Sequence, residues 1–159
     1  MNKSQTIFFK KIKRIVARDN LLTYPGFNET FKIHTNTREF QLGAVISQKG
    51  KPISFYSRKH TCAQQQYTVT ERELISIVET LKEFQTILLG HKLRIYTDNK
   101  NLTCKLFDTD IVLRWRLILE DYGPDIEYIK VEKNIVADGL SRITLNGNQE
   151  TTHKSTYQQ

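Results

Sequence analysis

The sequence predicts an α/β fold in which helices pack on a mixed β-sheet. Three consecutive strand patterns with short connections lie between residues 31 and 57, which is typical of an antiparallel meander. Two further strand patterns alternate with helical patterns, which favours parallel strands joined by helices. At 159 residues and 38% hydrophobic composition, the chain has the size of one domain with a single core.

The first thirty residues are basic and amphipathic, and they hold more than half of the net charge of +7. This charge makes a polyanionic partner plausible. Apolar residues recur there at helical spacing, namely Phe8, Phe9, Ile12, Ile15 and Val16. The pattern predicts a helix within residues 1–28 that ends before the turn signal Tyr24–Phe27. We interpret it as a docked or linking helix, with a membrane-surface helix or the end of a preceding domain as alternatives.

The meander strands are predicted at Phe31–Thr35, Leu42–Gln48 and Ile53–Ser57. A tight turn at Lys49–Pro52 separates the second strand from the third. The loop Asn36–Gln41 follows a strand end, which is a natural place for a functional group.

The strongest helical pattern begins at Thr68 and ends at Gly90. Thr68 and Glu71 form a capping box, and Thr70 with Glu73 offers a second one in overlapping register. The apolar stripe comprises Leu74, Ile77, Val78, Leu81, Phe84 and Leu88. Glu71 and Glu73 border this stripe on opposite sides, so periodicity leaves open which of them faces a neighbouring strand. Both are also ordinary first-turn acids that the helix dipole favours.

Asp98 follows a short strand that begins at Leu93. A carboxylate at the carboxyl end of a strand is held by rigid backbone and faces the crevice where open α/β sheets bind ligands. The alternative is that Asp98 caps the next helix, since aspartate is a preferred N-cap residue.

The remaining predicted elements are a short helix near Leu102–Phe107, a helix at Val112–Tyr122, a strand at Ile126–Val131 and a closing helix at Asn134–Ile143. Residues 146–159 are polar and turn-rich, which predicts a disordered tail. Cys62 and Cys104 are far apart and indicate reduced thiols rather than a structural zinc site. No apolar run approaches the length of a membrane helix, so no membrane partner is expected.

Six blocks of sequence occur in a specific order: Thr35–Gln48, Phe55–Arg58, Tyr67–Leu74, Tyr96–Asn99, Arg114–Trp115 and Asn134–Arg142. In order and spacing they resemble the ribonuclease H domain of gypsy-type LTR retrotransposon reverse transcriptase polyproteins, over about residues 5–143. The resemblance implies a ribonuclease H-like domain at 29–145, with a mixed five-stranded sheet and helices on both faces. Residues 1–28 similarly resemble the stretch that joins the polymerase portion to this domain.

The resemblance implies an activity and a site. The activity is endonucleolytic cleavage of the RNA strand of an RNA–DNA hybrid, at four carboxylates that bind two Mg²⁺ ions, with Mn²⁺ as a substitute. Three family positions fall on Glu73, Asp98 and Asp138. The fourth, the aspartate of Thr-Asp-Ala-Ser, falls on Asn36 in Thr35–Arg38.

Asparagine at this position is chemically significant. An aspartate can bridge two metal ions, whereas asparagine offers one neutral carbonyl oxygen and an NH₂ group that cannot ligate a metal. Glu39, in the same loop, is a weak candidate for a replacement ligand. Two hypotheses therefore stand: an impaired hybrid-specific ribonuclease, and a non-catalytic ribonuclease H-like module that binds nucleic acid or serves as a structural platform.

Basic residues beside the blocks are candidates for contacts with the hybrid backbone, namely Arg58, Lys59, Lys100 and Arg142. His34 alternates with core residues and is expected to be structural. Arg114 and Trp115 are expected to contribute to helix packing and to the protein surface and not to contact nucleic acid. The chain has no Tyr-x-Asp-Asp polymerase box, so the expected partner is a polymerase domain in a parent polyprotein. The expected location is the cytoplasm, an element particle or the nucleus.

Overall fold

The sheet is mixed and five-stranded within residues 22–103 and 109–142, which are the residues that the computed structural model describes. The strands are β1 (Phe31–Thr37), β2 (Gln41–Gln48), β3 (Lys51–Lys59), β4 (Leu93–Thr97) and β5 (Asp125–Tyr128). Their spatial order is β3-β2-β1-β4-β5. The β1–β2 and β2–β3 pairs are antiparallel, and β1–β4 and β4–β5 are parallel. The predicted fold class is confirmed.

The helices are α1 (Cys62–Gln65), α2 (Val69–Glu83), α3 (Gln85–Leu88), α4 (Asp110–Tyr122) and α5 (Ile135–Ser141). Two 3₁₀ turns lie at Lys100–Thr103 and Val131–Lys133. The capping box predicted at Thr68 and Glu71 begins α2. Gly123 ends α4 in the left-handed conformation, which agrees with the predicted end of this helix at Tyr122.

Some predicted boundaries are wrong, and one short helix is missing from the prediction. The helix expected to continue to Gly90 is divided at Phe84, whose φ of −106° and ψ of 26° end α2 and begin α3. The last strand stops at Tyr128, because the Lys133 N–H donates to the Lys130 carbonyl and turns the chain into a 3₁₀ helix. The helix α1 was not predicted, although Thr61 and Gln64 form a capping box there.

Helices cover both faces of the sheet. Ile33 and Ile46 are paired across β1 and β2 and belong to the buried cluster that includes Leu74 and Ile77 of α2. Asn36 is paired with Gly43 on the same two strands, and because it follows Ile33 by three residues its side chain points to the opposite face. That face carries α5.

Gly43 permits the close approach of α5 to β2. A Cβ atom at this position would lie 2.6 Å from the Ala137 carbonyl oxygen, the Leu140 Cβ and the Ser141 backbone nitrogen. Gln41, two residues before, donates from its side chain to the Leu140 carbonyl at 2.9 Å. The glycine therefore fixes how closely α5, with Asp138, lies against the sheet.

Several predicted segments lie outside the described residues. These are the amphipathic stretch up to residue 21, the part of the short helix at residues 104–108, the end of the closing helix at Ile143 and the tail at 146–159. Among the helices that are described, none has the length and apolar character that a membrane crossing requires.

Candidate functional site

The candidate site lies where β1 and β4 end side by side. These neighbouring strands are parallel, so their carboxyl ends meet at one edge of the sheet. An open cleft of about 500 Å³ lies beside this edge. Its lining comprises Asn36, Thr37, Arg38, Val69, Thr70, Glu73, Asp98, Asn99, Lys100, Asn101 and Asp138. The three carboxylates predicted for the metal site, Glu73, Asp98 and Asp138, are in this lining, together with Asn36 at the fourth family position.

Glu73 enters the cleft from α2. It is only 3% exposed, and its Oε1 accepts a hydrogen bond from the Thr37 backbone N–H at 3.3 Å. Its Oε2 is buried without a hydrogen-bond partner. Glu71, by contrast, is used by the capping box, where its Oε2 accepts from the Thr68 N–H at 2.8 Å. The choice between the two acids is therefore settled in favour of Glu73.

Burial raises the pKa of both carboxyl groups on this side of the cleft. Loss of solvation raises the pKa of Glu73 to about 8, and the Asp98 charge adds to the effect. The pKa of Asp98 is also raised, mainly by its partial burial, with the Asp138 charge acting in the same direction and Arg38 opposing it. Burial therefore disfavours the charged form of both groups.

Asp98 is not the cap that the alternative interpretation assigned to it. The side-chain oxygen of Asn99 accepts from the Asn101 N–H at 2.9 Å and makes the turn bond before the 3₁₀ helix. Asp98 itself lines the cleft, half-buried beside Glu73.

Asp138 enters the cleft from α5 on the opposite face and is 5% exposed. Its Oδ1 accepts from the Asn36 Nδ2 at 3.0 Å and from the Arg38 guanidinium at 3.1 Å. Its Oδ2 accepts from the Nε and a terminal nitrogen of Arg142, each at 2.8 Å. Asp138 is therefore surrounded by donors, unlike Glu73.

The two halves of the cleft differ in their capacity to ligate a cation. Within residues 22–103 and 109–142, no three Asp, Glu, His or Cys side chains are arranged to hold a metal ion as they stand. The partnerless Oε2 of Glu73 and the neighbouring Asp98 have the chemistry of a cation site. The Asn36 amide, in contrast, presents a donor to Asp138 where the family pattern has a second acid.

Comparison with known proteins places the chain in a family. Residues 26–122 match the model of the RNase H-like domain found in reverse transcriptase. The chain belongs to that family. The matched region includes Asn36, Glu73 and Asp98.

Curated relatives of this RNase H-like domain are transposon polyproteins. The chain is 39% identical over 146 residues to the Pol polyprotein of transposon 297 from Drosophila melanogaster, covering 90% of this chain and 14% of the relative. It is 35% identical over 153 residues to that of transposon gypsy from the same organism, covering 93% and 15%. The chain thus spans about a seventh of the length of these relatives. The resemblance to gypsy-type retrotransposon domains is confirmed.

Solved structures agree on the fold. The protease–reverse transcriptase of prototype foamy virus has a TM-score of 0.62 at 17% identity, over 82% of this chain and 19% of that one. The foamy viral protease–reverse transcriptase in complex with RNA/DNA hybrid has a TM-score of 0.58 at 19% identity, over 82% and 19%.

The predicted hybrid contacts are distributed unevenly. Lys100 lines the cleft and lies 5.1 Å from the centre of the Tyr128 ring, and Arg142 contacts Asp138. The guanidinium of Arg58 instead bridges Glu79 and Gln64, and Lys59 is an exposed residue at the end of β3. Their contact with nucleic acid stays a prediction.

Sequence reasoning missed Arg38 and the Thr37 backbone. Arg38 follows Asn36 by two residues, a spacing that puts side chains on one side of an extended strand. That spacing is the signal that could have found it. Thr37 donates from its backbone to Glu73, and its hydroxyl lies 2.7 Å from the His60 Nε2. His34, expected to be structural, stacks on Tyr96 with ring centres 4.6 Å apart.

Proposed function

We propose that this domain hydrolyses the RNA strand of RNA–DNA hybrids, as the ribonuclease H part of a retrotransposon reverse transcriptase polyprotein, at a rate that Asn36 lowers. One observation carries the proposal. Glu73, Asp98 and Asp138 come from α2, the end of β4 and α5, and all three line one cleft. Asp138 is paired with Arg38 and Arg142, whereas the buried Oε2 of Glu73 has no hydrogen-bond partner, and a carboxyl group perturbed in this way in a cleft is a candidate for a functional site.

The donor set supports a divalent metal cofactor on the Glu73 side. Glu73 and Asp98 would ligate Mg²⁺ or Mn²⁺, since hard cations prefer carboxylate oxygens. A divalent ion held there would supply Lewis-acid activation of water for attack on a phosphodiester. The Asn36 side does not fit a second ion equally well, because its amide donates to Asp138. One full negative charge is missing compared with four carboxylates.

The residues of the chain have separate tasks in this proposal. The Thr37 N–H holds the carboxyl group of Glu73, which is buried at the start of α2. Lys100, which lines the cleft, would contact a phosphate of the hybrid. Losing a charge at Asn36 costs catalytic stabilisation, and each step of about 1.4 kcal/mol is tenfold in rate.

Cleavage of an end-labelled RNA–DNA hybrid in Mg²⁺ and in Mn²⁺ tests the proposal. We expect slow cleavage by the native chain and none by Glu73→Gln or Asp98→Asn. Glu71→Gln is the matched control, since glutamine also completes a capping box and Glu71 is engaged there. Cleavage that persists in Glu73→Gln would show that the activity does not come from this cleft.

A second candidate is a non-catalytic module that binds the hybrid. The contacts of Asn36 and Arg38 with Asp138 favour it, because they satisfy this carboxylate without a metal. Its signature is salt-dependent binding of a hybrid by the native chain with no cleavage in either metal.

A further inference from the structure

The carboxylate of Asp138 already has a set of positive partners built into the fold. Arg38 and Arg142 pair with its two oxygens, and the Asn36 amide adds a donor to the oxygen that Arg38 contacts. Two guanidinium groups on one buried carboxylate leave this half of the cleft positive rather than negative. A dication that binds Asp138 would have to displace the Arg38 guanidinium, and the ion pair between Arg38 and Asp138 would be lost.

Asn36 and Arg38 act on the same atom. Both reach Oδ1 of Asp138, at 3.0 and 3.1 Å. They are two residues apart at the end of β1, so they lie on the same side of the chain. A carboxylate introduced by Asn36→Asp would therefore stand beside Arg38 as well as Asp138, and the guanidinium would bridge the two acids. The single substitution Asn36→Asp therefore leaves the Arg38 guanidinium bound to Asp138.

The other half of the cleft is in the opposite condition. Glu73 is 3% exposed and its Oε2 has no hydrogen-bond partner. Oε1 has one long bond, from the Thr37 N–H at 3.3 Å. A buried acceptor without a partner is costly, and a cation shared with Asp98 would satisfy it.

We propose that the cleft binds one divalent cation, between Glu73 and Asp98, and that the Arg38 guanidinium on Asp138 takes the place of a second. Admission of a second ion then needs two changes together, Asn36→Asp and Arg38→Ser. This inference deepens the proposed function and rests on it, since it concerns the metal content of the same site.

The test is titration with Mn²⁺, followed by calorimetry for stoichiometry and by electron paramagnetic resonance for coupling between neighbouring ions. We expect one bound Mn²⁺ in the native chain, in Asn36→Asp and in Arg38→Ser. In the double variant we expect two, with a spin-coupled signal. Glu73→Gln should lose the single ion of the native chain.

Two further variants separate charge from position. Asn36→Asp with Arg38→Lys keeps a cation beside Asp138 and is expected to bind one Mn²⁺. Asn36→Asp with Lys92→Ser removes a positive charge at the far end of β4, where Lys92 is exposed, and should also bind one. Thermal unfolding of every variant confirms that each is folded.

The inference is overturned if Asn36→Asp alone binds two ions, if the double variant binds one, or if the native chain binds none. Cleavage distinguishes it from the proposed function. A double variant that binds two coupled ions but cleaves no hybrid upholds the inference and contradicts the proposed function. A native chain that cleaves while Asn36→Asp takes up two ions unaided supports the function and contradicts the inference.

Discussion

Replacing Glu73 by glutamine is expected to stabilise the folded domain at high pH and to change little near pH 5. Burial raises the pKa of this carboxyl group from 4.5 to about 8. Between these values the folded state binds a proton that the unfolded chain has released, so the free energy of unfolding falls as pH rises through this window. Glutamine carries no such proton and has nearly the same shape.

The magnitude follows from the same pKa. A pKa raised from 4.5 to about 8 corresponds to about 5 kcal/mol, at about 1.4 kcal/mol per unit. The side chain is 3% exposed, so solvent screening removes little of this energy. Structural relaxation lowers it. We therefore expect the free energy of unfolding of Glu73→Gln to exceed that of the native domain by about 2 to 5 kcal/mol at pH 9.

Urea denaturation at several pH values between 5 and 9, with EDTA present, measures the difference directly. Glu71→Gln serves as the control, because the change is the same and Glu71 lies in the capping box of the same helix. Titratable groups elsewhere contribute equally to both proteins and cancel. The reasoning would be refuted if the free energy of unfolding had the same pH dependence in the native domain and in Glu73→Gln between pH 5 and pH 9. Adding Mn²⁺ should then stabilise the native domain more than the variant, because it binds the folded state of the former.

Other predictions concern the support of the site. Gly43→Ala should destabilise the domain by about 1 to 3 kcal/mol in the same denaturation experiment, because the new Cβ would lie 2.6 Å from atoms of α5. Gly26→Ala is the control and should be close to neutral, because its Cβ would have its nearest contact at 3.4 Å. Thr68→Ala should cost about 1 kcal/mol by removing the cap of α2, and urea denaturation that shows no loss would contradict the capping role. Lys100→Ala should reduce the slope of log affinity against log salt for hybrid binding by about 1, and Arg58→Ala, whose guanidinium bridges Glu79 and Gln64, should leave that slope unchanged in fluorescence anisotropy titrations.

Local patterns predicted the framework well because the forces that set it are local. Alternation indicated β1, a mostly apolar run indicated β2, and the strand-end position of Asp98 follows from turn chemistry just beyond β4. The choice between Glu71 and Glu73 could not be made from periodicity, since both border the apolar stripe. It depends on which capping box forms, and the Thr68 box leaves Glu73 for the cleft.

The parts that escaped prediction depend on distant contacts. Arg38 and Asp138 are 100 residues apart, and no pattern within β1 indicates the partner of that guanidinium. The break at Phe84 interrupts a stripe that continues to Leu88, so the hydrophobic pattern by itself gives no sign of it. The missed helix α1 is different, because its Thr61 and Gln64 capping box was available in the sequence.

The distance of 102 residues between Asn36 and Asp138 has a consequence for the order of assembly. Strands β1 to β3 pair with neighbours in sequence and can form while the ribosome is still translating. At roughly 5 to 20 residues per second, α5 follows on the order of ten seconds later. Until it docks against Gly43, Arg38 has no carboxylate from α5 to pair with. The cleft therefore gains the last of its three carboxyl groups only after α5 has been synthesised, about a hundred residues after β1.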